Sequence, residues 1–239
     1  MTDLRDRIII ALDYPELDPA LRMAELIGAR VGMLKVGLEL FNSAGPPAIA
    51  AIRQRAARIF YDSKFLDIPN TVAGAAAAAA RMGVSMFNVH ALGGAAMMAA
   101  AREAAQKAAS DAGLPVPLVI GVTILTSLGD REVQRELGLP SSASEAALRL
   151  AQLAKEAGLD GVVASVGEVP SIKRACGKDF LTVTPGIRPA WARLGDQARV
   201  ATPREALEAG SDLLVIGRPI TRADDPAAAL EMVLREMGA

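Results

Sequence analysis

A chain of 239 residues, 51% hydrophobic and 22% charged, has room for one large core and is too apolar to be disordered. Its 26 Lys and Arg nearly balance 27 Asp and Glu, so no global basic field exists to hold nucleic acid or an anionic membrane. One cysteine, Cys176, and one histidine, His90, exclude a disulfide framework and the His/Cys zinc patterns. The opening MTDLRDRIII carries acidic residues and no long apolar run, unlike a secretory signal. The long uncharged stretches at 82–101 and 114–129 are broken by Gly, Asn, His or Pro, so neither resembles a membrane span. A reducing cytoplasm is the expected compartment.

Short, near-continuously apolar runs alternate with longer stretches rich in Ala, Leu, Glu and Arg. The first half predicts strands at 7–12, 32–36, 58–61 and 85–89, followed by helices at 20–27, 48–57, 73–82 and 95–108 respectively. The second half predicts strands at 118–122, 161–164, 180–183 and 212–216, with helices at 143–157, 169–176, 204–209 and 227–237. Asp18-Pro19, Ser43, Thr202-Pro203 and Asp225-Pro226 supply helix openings, and Gly28, Gly83, Gly113, Gly158 and Gly210 supply helix ends. The alanine run at 75–80 suits a helix packed tightly on a sheet. Eight such units in this length fit a single α/β domain, a closed (β/α)8 TIM-type barrel spanning 1–239. An open doubly wound sheet is the rival, but no G-x-G-x-x-G follows the first strand.

In such a barrel, strand C-terminal ends and the loops after them carry the chemistry. The polar residues there are Asp13, Lys35, Asp62-Ser63-Lys64 with Asp67, Asn88 and His90, Thr126 and Ser127, Ser165, Arg188, and Gly217-Arg218. Strand alternation turns Asp62 and Lys64 the same way. They could form an ordinary strand-end salt bridge, and Asp67 could be a plain helix cap. A second inward lysine, Lys35, points instead to an anionic ligand or an interlocked Lys-Asp-Lys-Asp network. After strands 7 and 8, T-P-G-I-R and G-R-P-I offer glycines for close backbone approach and arginines for a phosphate. His90 has no acid or nucleophile partner in sequence and reads as a satisfied structural histidine. Cys176 reads as a structural thiol.

Taken in order, Asp13, Lys35-Val36-Gly37, D-S-K-F-L-D-I-P-N-T at 62–71, T-P-G-I-R-P at 184–189 and G-R-P-I-T at 217–221 strongly resemble the orotidine 5′-phosphate decarboxylase family. The resemblance implies a barrel that uses no metal or other cofactor and converts orotidine 5′-monophosphate to UMP and CO2. It also implies a homodimer with active sites at the subunit interface. On that resemblance Lys64 donates the proton to C6, Asp62 lies against the scissile carboxylate, and Lys35 and Asp67 complete the charged array. Asp67 and Thr71 would cross from the partner subunit. Asp13 and Lys35 would hold the ribose, Thr126 the pyrimidine edge, and Arg188, Gln197, Gly217 and Arg218 the phosphate and its closing loop. Trp191, within the loop at 189–197, departs from the family pattern.

Loss of CO2 from pyrimidine C6 leaves a vinyl-type carbanion with no electron sink, and no cofactor motif appears to supply one. Fixed charges and binding energy from the phosphate and ribose must lower that barrier. Two rivals remain. Mg2+-dependent sugar-phosphate decarboxylases and synthases share D-x-K-x-x-D but place a glutamate where this chain has Lys35, and a lysine is a poor Mg2+ ligand. A catalytically silent nucleotide-binding barrel is the other.

Overall fold

A computed structural model describes residues 3–55, 58–192 and 201–238. Eight parallel strands form a ring: β1 (Ile8–Ala11), β2 (Met33–Val36), β3 (Ile59–Phe65), β4 (Met86–His90), β5 (Leu118–Val122), β6 (Gly161–Val163), β7 (Leu181–Thr184) and β8 (Leu213–Ile216). Pairing of β1 with both β2 and β8 closes the sheet and rules out the open doubly wound alternative. The helices are α1 (Leu17–Ile27), α2 (Leu38–Ala44), α3 (Pro46–Arg53), α4 (Pro69–Arg81), α5 (Gly94–Asp111) and α6 (Asp130–Arg135). The rest are α7 (Ala143–Glu156), α8 (Val169–Cys176), α9 (Pro203–Glu208), α10 (Arg218–Thr221) and α11 (Pro226–Met237).

Strand alternation divides the core in two. Ile9, Met33, Phe60, Met86, Ile120 and Val183 meet inside the ring. Their neighbours Ile8, Ile10, Leu34, Tyr61, Phe87 and Val119 pack outward against the helices. Full burial of one such side chain stabilises the fold by roughly 1.5–3 kcal/mol. Two residues beyond Met33, Phe60 and Met86, the same inward direction falls on Lys35, Asp62 and Asn88. The apolar plug thus gives way to charge toward the strand C-terminal ends.

Local capping explains several helix starts. Ser142, Thr202 and Asp225 cap α7, α9 and α11 through the backbone N–H groups of Glu145, Glu205 and Ala228. In α7 and α9 the glutamate reaches back to the capping residue, completing a capping box. Ser43 does not open a helix. It lies inside α2 and its Oγ donates to Leu40 O, while Gly45 at φ +66° makes the turn from which Pro46 starts α3. Asp18 sits one residue into α1, which begins after Glu16. Gly28 stays right-handed and leads into a 3-10 turn instead of ending the helix in a left-handed cap. The alanine run lies in α4, whose main packing partner is α5 rather than the sheet alone. No described helix is long and apolar enough to cross a membrane.

Candidate active site

At the C-terminal ends of the strands lies a cavity of about 260 Å³. Phe60, Val122, Val163, Val183 and Val215 form its apolar wall, and Asp13, Lys35, Asp62, Lys64, Thr126, Arg188, Gly217 and Arg218 also line it. Thr126 therefore reaches the cavity, whereas its neighbour Ser127 does not line it. Arg188 follows β7, four strands round the ring from Asp62 and Lys64 on β3.

The charged side chains form a continuous chain of ion pairs. Lys35 Nζ lies 3.0 Å from Asp13 Oδ1 and 3.3 Å from Asp62 Oδ2. Lys64 Nζ lies 2.5 Å from Asp62 Oδ1. Lys35 is only 7% exposed. Burial opposes its charge, but Asp62 and then Asp13 outweigh that effect and raise its pKa. Burial likewise works against the Asp62 carboxylate, yet Lys35, Lys64 and hydrogen bonds from Lys64 and Asn88 hold its pKa below the ordinary value. Gly37 leaves space for this arrangement: a Cβ there would come within 2.9 Å of Lys35 Nζ.

β3 reaches this geometry by breaking its own regularity. It runs to Phe65, past the predicted end at Tyr61, and its register against β4 shifts between Tyr61 and Phe65. Lys64 sits at φ +50°, the one non-glycine positive φ among the described residues. A left-handed lysine costs roughly 1–3 kcal/mol and persists only where the surroundings hold it. The Lys64 backbone N–H donates to Asn88 Oδ1 at 2.7 Å, and Ser63 Oγ donates to the Asn88 carbonyl at 2.8 Å. Asn88 Nδ2 also donates to Asp62 Oδ1 at 2.7 Å. Asn88, 1% exposed, was visible in the sequence only as one more polar strand end. An amide at an inward position was the available signal.

The other expected site residues divide between the cavity and the exposed surface. Asp67 is exposed, and its Oδ1 accepts from the Ile68 N–H at 2.6 Å. It does not cap α4, whose N-cap position is taken by Ile68 ahead of Pro69. Thr71, in the first turn of α4, is also exposed. Neither lines the cavity of its own chain. Arg188 is largely buried, with its backbone N–H bonded to Ala201 O, and Arg218 opens the four-residue α10 after Gly217. Gln197 lies outside the described residues. His90 is not the satisfied histidine expected, because its buried Nδ1 has no hydrogen-bond partner among the described residues. Burial and then Lys64 lower its pKa, against the pull of Asp62. No three His, Cys, Asp or Glu side chains among the described residues are grouped to hold a metal ion.

The family model described as orotidine 5′-phosphate decarboxylase / HUMPS matches residues 6–233. The chain belongs to this family. An orotidine 5′-phosphate decarboxylase from Moorella thermoacetica is 52% identical over 98% of this chain and 92% of its own length. One from Alkalilimnicola ehrlichii is 54% identical over 98% and 97%. In three dimensions, the crystal structure of the Lactobacillus acidophilus orotidine 5′-phosphate decarboxylase superposes with a TM-score of 0.84 at 41% identity, covering 97% of this chain and 99% of that one. In this chain Lys35 is bonded to two carboxylates and so committed to the charged chain.

Proposed function

We propose that this chain converts orotidine 5′-monophosphate to UMP and CO2, using its own side chains and no metal or organic cofactor. The observation that carries the reading is Asp62, whose two oxygens are each held by a different lysine at one wall of the cavity. With Arg188 and Arg218 lining the same cavity, an anionic substrate finds a phosphate partner apart from the reacting end. The C6–carboxylate bond breaks, CO2 leaves, and the electron pair stays on C6. Lys64 stabilises that pair as a cation and then delivers an Nζ proton to it, regaining the proton from solvent. Asp62 and Lys35 keep the ammonium aimed before substrate arrives, so little reorganisation is needed at the moment of reaction. Asp13 and Lys35 take the ribose, and Thr126 the pyrimidine edge. Binding energy from the phosphate end, far from the bond that breaks, is available to lower the barrier.

Two chains pair across their cavity mouths in this reading. Supporting it, Leu66 and Ile68 flank Asp67 at 54% and 67% exposure, and Leu38 and Leu92 are exposed as well. Asp67 and Thr71 are exposed beside Leu66 and Ile68 and do not line their own cavity, so a second chain would receive them.

Decarboxylation followed by loss of orotidylate absorbance tests the function, with and without EDTA. Turnover unchanged by the chelator is expected. Turnover abolished by it, or activity on a sugar phosphate in its place, would favour the Mg2+-dependent reading. No turnover at all would leave a binding barrel.

A further inference from the structure

Asn88 does more than fill the barrel. Its side-chain amide has one acceptor and one donor group in use, and each goes to a different member of the proposed reacting pair. Oδ1 accepts from the Lys64 backbone N–H at 2.7 Å, and Nδ2 donates to Asp62 Oδ1 at 2.7 Å. That same Oδ1 takes the Lys64 ammonium at 2.5 Å, leaving Oδ2 for Lys35 at 3.3 Å. Two donors on one oxygen fix the carboxylate's rotation and decide which oxygen serves which lysine. The bond to the Lys64 N–H satisfies a backbone donor that the register shift would otherwise remove from the ladder, at the residue with φ +50°. Ser63 Oγ on the Asn88 carbonyl ties the same two strands beside it.

We propose that Asn88 is a positioning residue for the decarboxylation, clamping the left-handed backbone of Lys64 and the rotation of Asp62 so that the ammonium is presented to C6. This inference rests on the decarboxylase reading above. Asparagine is required because the job needs an acceptor and a donor on one planar group. An aspartate has the same shape but, when ionised, only accepts. It would keep the Lys64 N–H and set a second carboxylate against Asp62.

The test is steady-state kinetics of wild type, Asn88→Ala and Asn88→Asp across pH, with orotidine 5′-monophosphate as substrate. Wild-type turnover checks the decarboxylase reading by itself, since its absence would overturn that reading before Asn88 is at issue. Given turnover, Asn88→Ala should lose about 10–100-fold in kcat with KM within about threefold, because phosphate and ribose contacts lie elsewhere. Asn88→Asp is near-isosteric and separates positioning from folding. When its introduced carboxyl is protonated it can donate to Asp62 as the amide does, and when ionised it repels Asp62. Its kcat relative to wild type should therefore be higher at the acid end of the profile than at the alkaline end. The charged groups facing the position are Asp62 and Lys64 on β3, Lys35 on β2, Asp13 after β1, and His90 further along β4; the inward residues of β5, Ile120 and Val122, are apolar. Asn88→Ala keeps all of them, so it should show no such rise. An Asn88→Asp to wild-type ratio that is flat with pH, or a folded Asn88→Ala with wild-type kcat, would overturn the assignment.

Discussion

Replacing Asp62 by alanine removes the hub of the charged chain, and the structure sets the size of the effect. The deletion takes the 3.3 Å partner from Lys35, the 2.5 Å partner from Lys64 and the 2.7 Å acceptor from Asn88. Breaking a buried ion pair from one side costs about 3–5 kcal/mol, because a charge is left buried without compensation. Lys35 retains Asp13 at 3.0 Å, so the lower end, about 3 kcal/mol, is expected for this site. In a barrel of this size each kcal/mol moves the melting temperature by about 2–4 °C, which gives a drop of roughly 6–12 °C. Calorimetry in a phosphate-free buffer reads it directly. The double variant Asp62→Ala with Lys35→Met no longer buries an ammonium short of one of its two carboxylates and should recover about half of the loss, the rest reflecting the Lys64 ammonium and the Asn88 amide left without Asp62. An Asp62→Ala protein melting within about 2 °C of wild type would refute the reasoning, as would a double variant less stable than the single.

Arg218→Ala should lower kcat/KM by at least about 10–100-fold on the nucleotide, yet match wild type on the nucleoside lacking phosphate, since the deleted side chain then has nothing to bind; equal impairment on both substrates would remove the phosphate assignment. Mixing inactive Lys64→Ala and Asp67→Ala chains, with exchange confirmed by native mass spectrometry, should restore activity, because one site of each mixed dimer would carry neither lesion; no recovery would return Asp67 to a local role. The pH dependence of stability follows from the two shifted groups. Asp62, with its pKa depressed, stabilises the fold above the ordinary carboxylate value of about 3.9 and loses that contribution as pH falls through the lower folded value. Lys35, with its pKa raised, contributes fully below about 10.4 and loses it as pH rises through the higher folded value. Melting curves should show Asp62→Asn losing less than wild type on the acid side and Lys35→Met losing less on the alkaline side; parallel curves would contradict both.

The barrel was legible because strands buried on both faces leave an unmistakable trace. RIIIAL, LVIGV and DLLVI have few polar interruptions, and the polar residues ending them marked the face on which the cavity lies. Short helices were less visible. α2 and α6, of seven and six residues, show no sustained apolar period, and tertiary packing rather than propensity holds them. Alternation placed Asp62 beside Lys64, but the lysine's left-handed backbone and the register shift against β4 were beyond a strand pattern. For the same reason Asn88 could not be separated from ordinary strand-end polarity. Its importance comes from two partners 24 and 26 residues away in the chain. Asp67 lies close to Lys64 in sequence yet does not line the cavity that Lys64 lines, and Ile68-Pro69 opens α4 immediately after it.

The proposed chemistry has one product mark. Single turnover of orotidine 5′-monophosphate in D2O, with the UMP examined by NMR, shows which hydrogen replaces the lost carboxylate. The Lys64 ammonium exchanges with solvent, so wild type should give UMP carrying deuterium at C6, and Lys64→Ala should bind the nucleotide while forming almost none. UMP with protium at C6, or full turnover without Lys64, would contradict proton delivery by that lysine.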